Sequence, residues 1–278
     1  MKFEEKFEKL VMETIEKNKL FIKKDKILLA ISGGKDSLVN AYLLKKFGYD
    51  IYAIHIDLKI GKYSEKCREA CEKICKENKI PLSIYDIKNE MGSSMCYIRA
   101  AVQSKHAGLS NCAICGVIKK WIMNKQARKL KAKVIVTGHN IDDEAQTFLM
   151  NIFKGSPELS SNTGPISKNI KEKKFIPRAK PLYYCLEEDI RKYSKLKGLP
   201  VIYEKCPCSG DSYRIQIRNF IEKRFEKEKA NLIKSFEKLS KQIPKKEGSS
   251  INYCEKCGEP CRKNICKKCE LVDLAIIG

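Results

Sequence analysis

One stretch limits what this chain can fold into more than any other: Ile27-Leu28-Leu29-Ala30-Ile31-Ser32-Gly33-Gly34-Lys35-Asp36-Ser37-Leu38-Val39. Ile27 to Ile31 are an uninterrupted apolar run, the pattern of a strand buried on both faces. Two glycines follow, then Lys35-Asp36-Ser37 and the apolar residues Leu38, Ala41, Leu43 and Leu44 of a helix. A strand, a glycine turn and a helix start together offer backbone N–H groups and the positive end of a helix dipole to an anion. Glycine belongs there because a Cβ would hold a phosphate away from the backbone. The spacing is not the Walker pattern, which needs four residues between its first glycine and Gly-Lys-Ser/Thr. An ordinary βα turn has no use for two glycines, a cation, a carboxylate and a hydroxyl in a row, so the stretch reads as a phosphate-binding loop.

The rest of the chain reads as α/β, a Rossmann-like parallel sheet with helices between its strands. Residues 3–19 give a charged amphipathic helix with Phe3, Phe7, Leu10, Val11, Thr14 and Ile15 on one face, a cover for the core. Ile51 to Asp57 form a second strand. Ligands in a parallel sheet sit at the carboxyl ends of strands, so its tip, Asp57, falls beside the first loop, and His55 reads as a strand residue. Residues 63–78 form a helix in which Cys67, Cys71 and Cys75 recur every four residues, as small core side chains. Pro81 to Ile87 is a third strand, and a helix from Ser94 to His106 offers Arg99, Lys105 and His106 to solvent or ligand. Lys133 to Asn140 is a fourth strand ending in Gly138-His139-Asn140. Asp142-Asp143-Glu144 then open a helix, where acids are favoured. Residues 155–175 read as a basic loop able to contact substrate. A helix at 186–197 and a strand around Val201-Ile202-Tyr203 bring the sheet to five strands. The domain plan is an N-terminal helix (1–20), a catalytic domain (21–210), a helical extension and linker (211–247) and a C-terminal zinc finger (248–278).

Charge and cysteines narrow the chemistry. With 56 Lys+Arg against 34 Asp+Glu the net charge is +22, which suggests a polyanionic partner, nucleic acid first. The start, Met1-Lys2-Phe3-Glu4, has no apolar signal segment, and no stretch approaches ~18 apolar residues, so a cytoplasmic protein without membrane contact is expected. In such a chain 14 cysteines read as metal ligands, cluster ligands or reactive thiols, not disulfides. Cys254-x2-Cys257 and Cys266-x2-Cys269 are spaced as two zinc knuckles of one closed tetrahedral site, with Cys261 at an odd position between them. A second set is Cys112-x2-Cys115 before a helix, with Cys206 or Cys208 after the last strand. Spacing alone leaves three readings open: a three-thiolate [4Fe–4S] cluster with one free iron position, a redox pair, or a second zinc site. All these cysteines fall on the carboxyl side of the sheet, facing Ser32–Ser37 and Asp57.

Five motifs in order carry a resemblance: Ser32-Gly33-Gly34-Lys35-Asp36-Ser37, Cys112-Ala113-Ile114-Cys115-Gly116, Thr137-Gly138-His139-Asn140-x-Asp142-Asp143, Glu204-Lys205-Cys206-Pro207 and the terminal cysteine pairs. The first resembles the PP-loop of N-type ATP pyrophosphatases. Together they resemble the tRNA 2-thiouridine synthetases of the TtuA/NcsA group, in the TtcA/TtuA superfamily, over roughly residues 20–272. The resemblance implies ATP held by Ser32, Gly33, Gly34, Lys35 and Ser37, with Asp36 in catalysis or magnesium binding and Asp57, Lys119, Gly138 and Asp143 at nucleotide-contacting positions. It implies a [4Fe–4S] cluster on Cys112, Cys115 and Cys206, with Cys112 and Cys206 catalytic. Cys206 is preferred to Cys208 because the family places an aromatic residue where Cys208 stands. Zinc on Cys254, Cys257, Cys266 and Cys269 completes the cofactors. Members often carry a further finger ahead of the loop, whereas the first cysteine here is Cys67. The expected reaction adenylates a uridine C2 oxygen, releases pyrophosphate into the loop and lets sulfur expel AMP. Expected partners are tRNA, a sulfur donor (sulfide or a ubiquitin-like carrier protein) and a second copy in a homodimer. Uridines 34 and 54 both stay open as targets. A PP-loop amidotransferase or ligase acting on a small molecule is the rival reading, and it leaves the cysteines and the +22 charge unexplained. A tRNA 2-thiocytidine synthetase is a further rival, which the terminal finger disfavours.

Overall fold

The computed structural model describes residues 1–105, 108–167, 172, 174–210, 213–225, 228–242 and 251–276. Helix α1 (Phe3–Lys17) turns Phe7, Val11, Thr14 and Ile15 into the core, as its apolar stripe demands. Then follow β1 (Ile27–Ile31), α2 (Lys35–Lys46), β2 (Ile51–Asp57), α3 (Gly61–Glu77), β3 (Leu82–Asp86), α4 (Ile87–Met91), α5 (Met95–Lys105) and α6 (Asn111–Lys129). The second half runs β4 (Val134–Val136), α7 (Ile141–Phe153), β5 (Arg178–Ala179), α8 (Glu187–Leu196), α9 (Tyr213–Arg224) and α10 (Lys229–Gln242). A small hairpin, β6 (Asn252–Tyr253) with β7 (Pro260–Cys261), and a last helix, α11 (Lys267–Ile276), end the described chain.

The first five strands form one sheet in the order β3-β2-β1-β4-β5, and every pairing is parallel. Alternation along β1 sends Ile27, Leu29 and Ile31 into one apolar layer and Leu28 into the other. The first layer packs against α1, α2, α3 and α8, and the second against α5, α6 and α11. Strand order reverses between β1 and β4. At such a switch point the two following loops diverge to opposite faces and leave a crevice at the carboxyl edge. Helices α9 and α10 close over α7, with Ile217, Ile221 and Ile233 against Ile141, Ala145 and Tyr183.

Two expectations are corrected. The fifth strand is β5 at Arg178–Ala179, not a strand around Val201-Ile202-Tyr203. That segment makes no ladder: Val201 N–H turns back to the Leu199 carbonyl (2.7 Å), and Ile202 N–H donates to the Gly33 carbonyl (2.9 Å). It ties the Cys206 region to the first loop instead of extending the sheet. Arg99 is not offered to solvent. It is 4% exposed, because Met95, Ile98, Arg99 and Val102 share the inward face of α5 at helical spacing. The C-terminal finger joins the same core: Leu271 and Ala275 of α11 belong to the second apolar layer. His106, residues 168–171 and 173 of the basic loop, and residues 243–250 of the linker lie outside the described residues. Within that loop a short 3-10 turn runs over Pro157–Asn162, and Ile166 bridges to Ala179.

Candidate active site

Ser32 to Ser37 occupy the crevice at the switch point. Ser32 N–H donates to Ser37 Oγ (3.0 Å), and the Ser37 hydroxyl donates to the Gly34 carbonyl (2.9 Å), which closes the loop on itself. The two glycines differ in kind. Gly33 has φ +80°, and a Cβ there would stand 2.9 Å from the Cys67 backbone, so it is required by α3 packing beneath it. Gly34 has φ −81° and a hypothetical Cβ meets only Ser32 Oγ at 3.7 Å, so the space above it is open to a ligand. Gly138, after β4, is pressed against the loop from the other side, with its hypothetical Cβ 2.9 Å from the Asp36 Cβ.

The carboxylates cluster next to this loop. Asp36 Oδ1 accepts from Asn140 Nδ2 (2.9 Å) and Asp36 Oδ2 pairs with Lys35 Nζ (3.1 Å). Asn140 and Asp143 cap α7 reciprocally: Asp143 N–H donates to Asn140 Oδ1 (3.1 Å), and Asn140 N–H to Asp143 Oδ2 (3.4 Å). Burial, and then the neighbouring Asp143 charge, push the Asp36 carboxyl above its ordinary value, and burial does the same to Asp143. Lys35 also reaches Glu187 Oε1 (2.9 Å), and Glu187 is bonded in turn to Arg218. Burial works against the Lys35 charge, but Asp36 and Glu187 outweigh it and raise its pKa. Sequence reasoning missed Glu187 and Arg218, since acids at a helix start are common without a ligand.

Asp57 stands at the tip of β2 as expected, with Lys59 clamped between it (2.9 Å) and Asp86 (2.7 Å). Asp57, Lys59, Ser64 and Tyr97 line a cavity of about 520 Å³ at the carboxyl end of β2. His55 is a buried strand residue, its Nδ1 within 3.2 Å of the Ile31 carbonyl. Lys119 lies on α6, close enough for its charge to act on His55 and Cys67.

A second feature escaped the sequence reading: a basic cleft. His139 is accessible yet sunk among Lys180, Arg214, Lys120 and Arg178, and its pKa is pulled to about 3 by that setting and then by those charges. Lys180 is balanced by Glu144 (2.6 Å) and Arg214 by Asp143 (3.6 Å). Lys120 and Arg178 form no ion pair among the described residues, and Arg178 Nε is buried without a hydrogen-bond partner. A cation surplus of this kind favours an anion.

The thiols divide into two sets. Cys254, Cys257, Cys266 and Cys269 bring their sulfurs within 4.8 Å of one another, the donor set of one tetrahedral ion. Burial works against the Cys254 thiolate, but the N–H groups of Cys266, Cys257 and Lys256 turned on its sulfur lower its pKa to about 6. Cys261 is outside this group, its thiol donating to the Lys263 carbonyl (2.7 Å). Glu259 of the same finger binds Arg128 of α6, and Lys174 Nζ donates to the Gly258 carbonyl (3.0 Å). The other set lies across α6 and the 204–209 turn. Cys112 is exposed in the first turn of α6, Cys115 is buried one turn on, and Cys206 and Cys208 are half-buried. Cys115, Cys206 and Cys208 border the same apolar layer, and Cys206 also acts on Cys67 and Tyr63 of α3. Among the described residues these cysteines do not form a second group within 4.8 Å.

The PP-loop domain family matches residues 1–225 of the chain. A tRNA-5-methyluridine(54) 2-sulfurtransferase of Pyrococcus horikoshii is 38% identical over 272 residues, 96% of this chain and 85% of that protein. Cytoplasmic tRNA 2-thiolation protein 1 of Caenorhabditis elegans is 35% identical over 283 residues, 98% of this chain and 73% of that one. Among solved structures, the U34-tRNA thiolase NcsA from Methanococcus maripaludis with its [4Fe-4S] cluster superposes with a TM-score of 0.79 at 26% identity, covering 98% of this chain and 87% of that one.

Proposed function

Since the chain belongs to the PP-loop domain family and within it to the tRNA 2-thiolation proteins, we propose that it uses ATP to replace the C2 oxygen of a tRNA uridine by sulfur. The observation that carries this reading is the shared edge: a phosphate-binding loop at the β1/β4 switch point, with Cys115 and Cys206 bordering the same apolar layer beside it.

The chemistry explains why both are needed. A uracil C2 carbonyl is a poor electrophile, and its oxygen leaves badly. Adenylation makes that oxygen part of AMP, and a sulfur nucleophile can then add at C2 and expel it. Ser32–Ser37 would hold the departing pyrophosphate, with Lys35 balancing its charge. Asp36 and Asp143 would hold Mg²⁺ with the phosphates, and the fit is chemical. Two carboxyls raised by burial suit a hard cation that takes a few carboxylates and completes its shell with substrate oxygens. Asp57 and Lys119 would contact the nucleotide.

Cys112, Cys115 and Cys206 would hold the [4Fe–4S] cluster. One tetrahedral ion with Zn–S bonds of about 2.3 Å draws its sulfurs together, as the terminal finger does, whereas a cubane takes each thiolate on a separate iron. Cys112 and Cys115 stand one turn apart on α6, and Cys115 and Cys206 border one apolar layer, so two adjacent segments offer the three thiols that a three-thiolate cubane takes. When bound, the cluster supplies an iron with a free position for sulfur. A uridine must leave its stack to reach the site, and the cations of the basic cleft would hold the flanking phosphates. His139, kept neutral, can accept or donate a hydrogen bond there without adding charge. Cys254, Cys257, Cys266 and Cys269 would bind structural Zn²⁺. The sulfur donor would be sulfide or a ubiquitin-like carrier, the active form a homodimer, and the compartment the cytoplasm.

The deciding experiment is anaerobic purification with iron, sulfide and zinc counted per chain, followed by thionucleoside analysis of tRNA from a deletion strain. About four irons and one zinc are expected. Cys112→Ala should remove the iron and leave the zinc, and 2-thiouridine should disappear from tRNA in the deletion strain. A colourless, iron-free protein or an unchanged thionucleoside profile would refute the proposal.

A further inference from the structure

Arg99 presents a physical problem that the reaction above does not use. Its side chain is 4% exposed on the inner face of α5, between Met95, Ile98 and Val102. Its Nε donates to the Met95 carbonyl (3.2 Å) and its Nη2 to Cys96 Sγ (3.4 Å). Among the described residues no carboxylate pairs with it. The groups whose charge would act on it are thiols: Cys208 first, then the hydrogen-bonded Cys96, and Cys115. A guanidinium cannot shed its proton, and a buried charge is tolerated only when it is compensated. Neutral thiols and one carbonyl do not compensate it.

We propose that Arg99 is the buried counter-cation of the iron–sulfur cluster, placed behind its ligand Cys115 and beside the Cys206–Ser209 turn. The inference rests on the cluster reading of Cys112, Cys115 and Cys206. Thiolates ligating a [4Fe–4S] core leave it with net negative charge, and reduction adds one more. A fixed cation in a low-dielectric setting stabilises both states and the reduced one more. The geometry supplies the route. Cys115 lies one turn into α6, and Cys206 and Cys208 are held in a turn closed by Ser209 N–H and Oγ on the Cys206 carbonyl (3.1 and 2.7 Å). Both segments border the apolar layer to which Ile98 and Val102 of α5 belong. Arg99 is thus a positioning and charge-balancing residue that touches thiols, not substrate. Carrying the charge on α5 keeps it off the solvent side, where the tRNA and the sulfur donor must enter.

The test reads the cluster itself, not thiolation. Holoprotein is prepared anaerobically as wild type, Arg99→Met, Arg99→Gln, Arg99→Lys and Cys96→Ala, and the one-electron midpoint potential is measured by mediated titration followed by EPR. Arg99→Met should lower the reduced-to-oxidised ratio at fixed potential about tenfold, a fall of about 59 mV for one electron. Arg99→Lys should restore the wild-type value and Cys96→Ala leave it unchanged. Loss of iron from Arg99→Met with zinc retained, together with iron retained in Arg99→Lys, supports the proposal equally. If Arg99→Met does not fold, Arg99→Gln is read by the same two measures. A full cluster with an unshifted potential in the neutral variants overturns the proposal and leaves the cluster reading standing. Equal shifts in Lys and Met variants overturn it too, because charge would then not be the cause. Iron-free wild type would overturn both readings.

Discussion

Gly33 and Gly34 are neighbours with opposite reasons for being glycine, and substitution separates them. Alanine at 33 must adopt φ +80° and meet the Cys67 backbone at 2.9 Å, with no flexible side chain to move aside. Strain and clash together should cost about 2–4 kcal/mol, read as a clearly lowered thermal transition. Alanine at 34 keeps an ordinary φ and touches only Ser32 Oγ at 3.7 Å, so the transition should stay within about 0.5 kcal/mol of wild type while ATP binding is lost by calorimetry. Asp36 makes a complementary case. Its folded pKa is raised above 3.8 by burial and by Asp143, so the ionised form is disfavoured in the fold. Stability from this group is complete below the ordinary carboxylate pKa and is lost as pH rises through the raised value. Asp36→Asn should therefore be at least as stable as wild type at pH 7 without ligand. It should also lose the stabilisation that Mg·ATP gives wild type. A variant that unfolds earlier, or still responds to Mg·ATP, would contradict the assignment.

At the scale of elements, the parallel strands and the first loop were legible in the residues, because buried strands are apolar runs and a phosphate loop needs unusual side chains at fixed positions. The fifth strand was not. Arg178–Ala179 is too short to show a period, while Val201-Ile202-Tyr203 has strand composition but spends its N–H groups on Leu199 and Gly33. The site divided the same way. The terminal cysteine pairs were readable from spacing, but Glu187, Arg218 and the cleft cations come together only through long-range packing of α6, α7, α8, α9 and β5. Arg99 was readable in principle, since Met95, Ile98 and Val102 mark its face as buried. The finger shows what spacing omits: α11 delivers Leu271 and Ala275 to the layer that also buries Cys115, and Lys105 Nζ caps the Leu274 carbonyl (3.0 Å). A metal held at the finger would therefore bear on α6. Trp121, the single tryptophan, lies on α6 with Lys268 of α11 4.5 Å from its ring and Lys125 4.9 Å. Chelation of zinc, or Cys254→Ser, should shift Trp121 emission to the red and lower stability by roughly 3 kcal/mol or more, as burial of α11 is lost. Unchanged emission after verified zinc removal would show that α11 docks without metal.

For the molecule as a whole, the question is where a charge of +22 acts. Many acids are already engaged locally, as Glu8 is with Lys46, Glu13 with Lys17 and Glu72 with Arg68, and exposed pairs of this kind neutralise cations without adding much stability. The surplus that matters for a polyanion is the part that cannot be neutralised from within, and Lys120 and Arg178 in the cleft are its clearest members. Binding of tRNA releases counterions in proportion to the phosphates contacted, with a slope of log K against log salt of roughly −0.7 to −0.9 per phosphate. With about 6–10 contacts, affinity should fall about 10³–10⁵-fold between about 50 and 200 mM salt. Lys120→Ala should reduce the slope by about one and weaken binding, because it removes one phosphate contact next to the reacting base. Lys9→Ala, on the exposed face of α1 beside Glu13, should leave the slope unchanged. Anisotropy titrations of labelled tRNA against each variant across the salt range measure both. Equal slopes for wild type and Lys120→Ala would remove the cleft from the path of the RNA and leave its cations to serve the triphosphate alone.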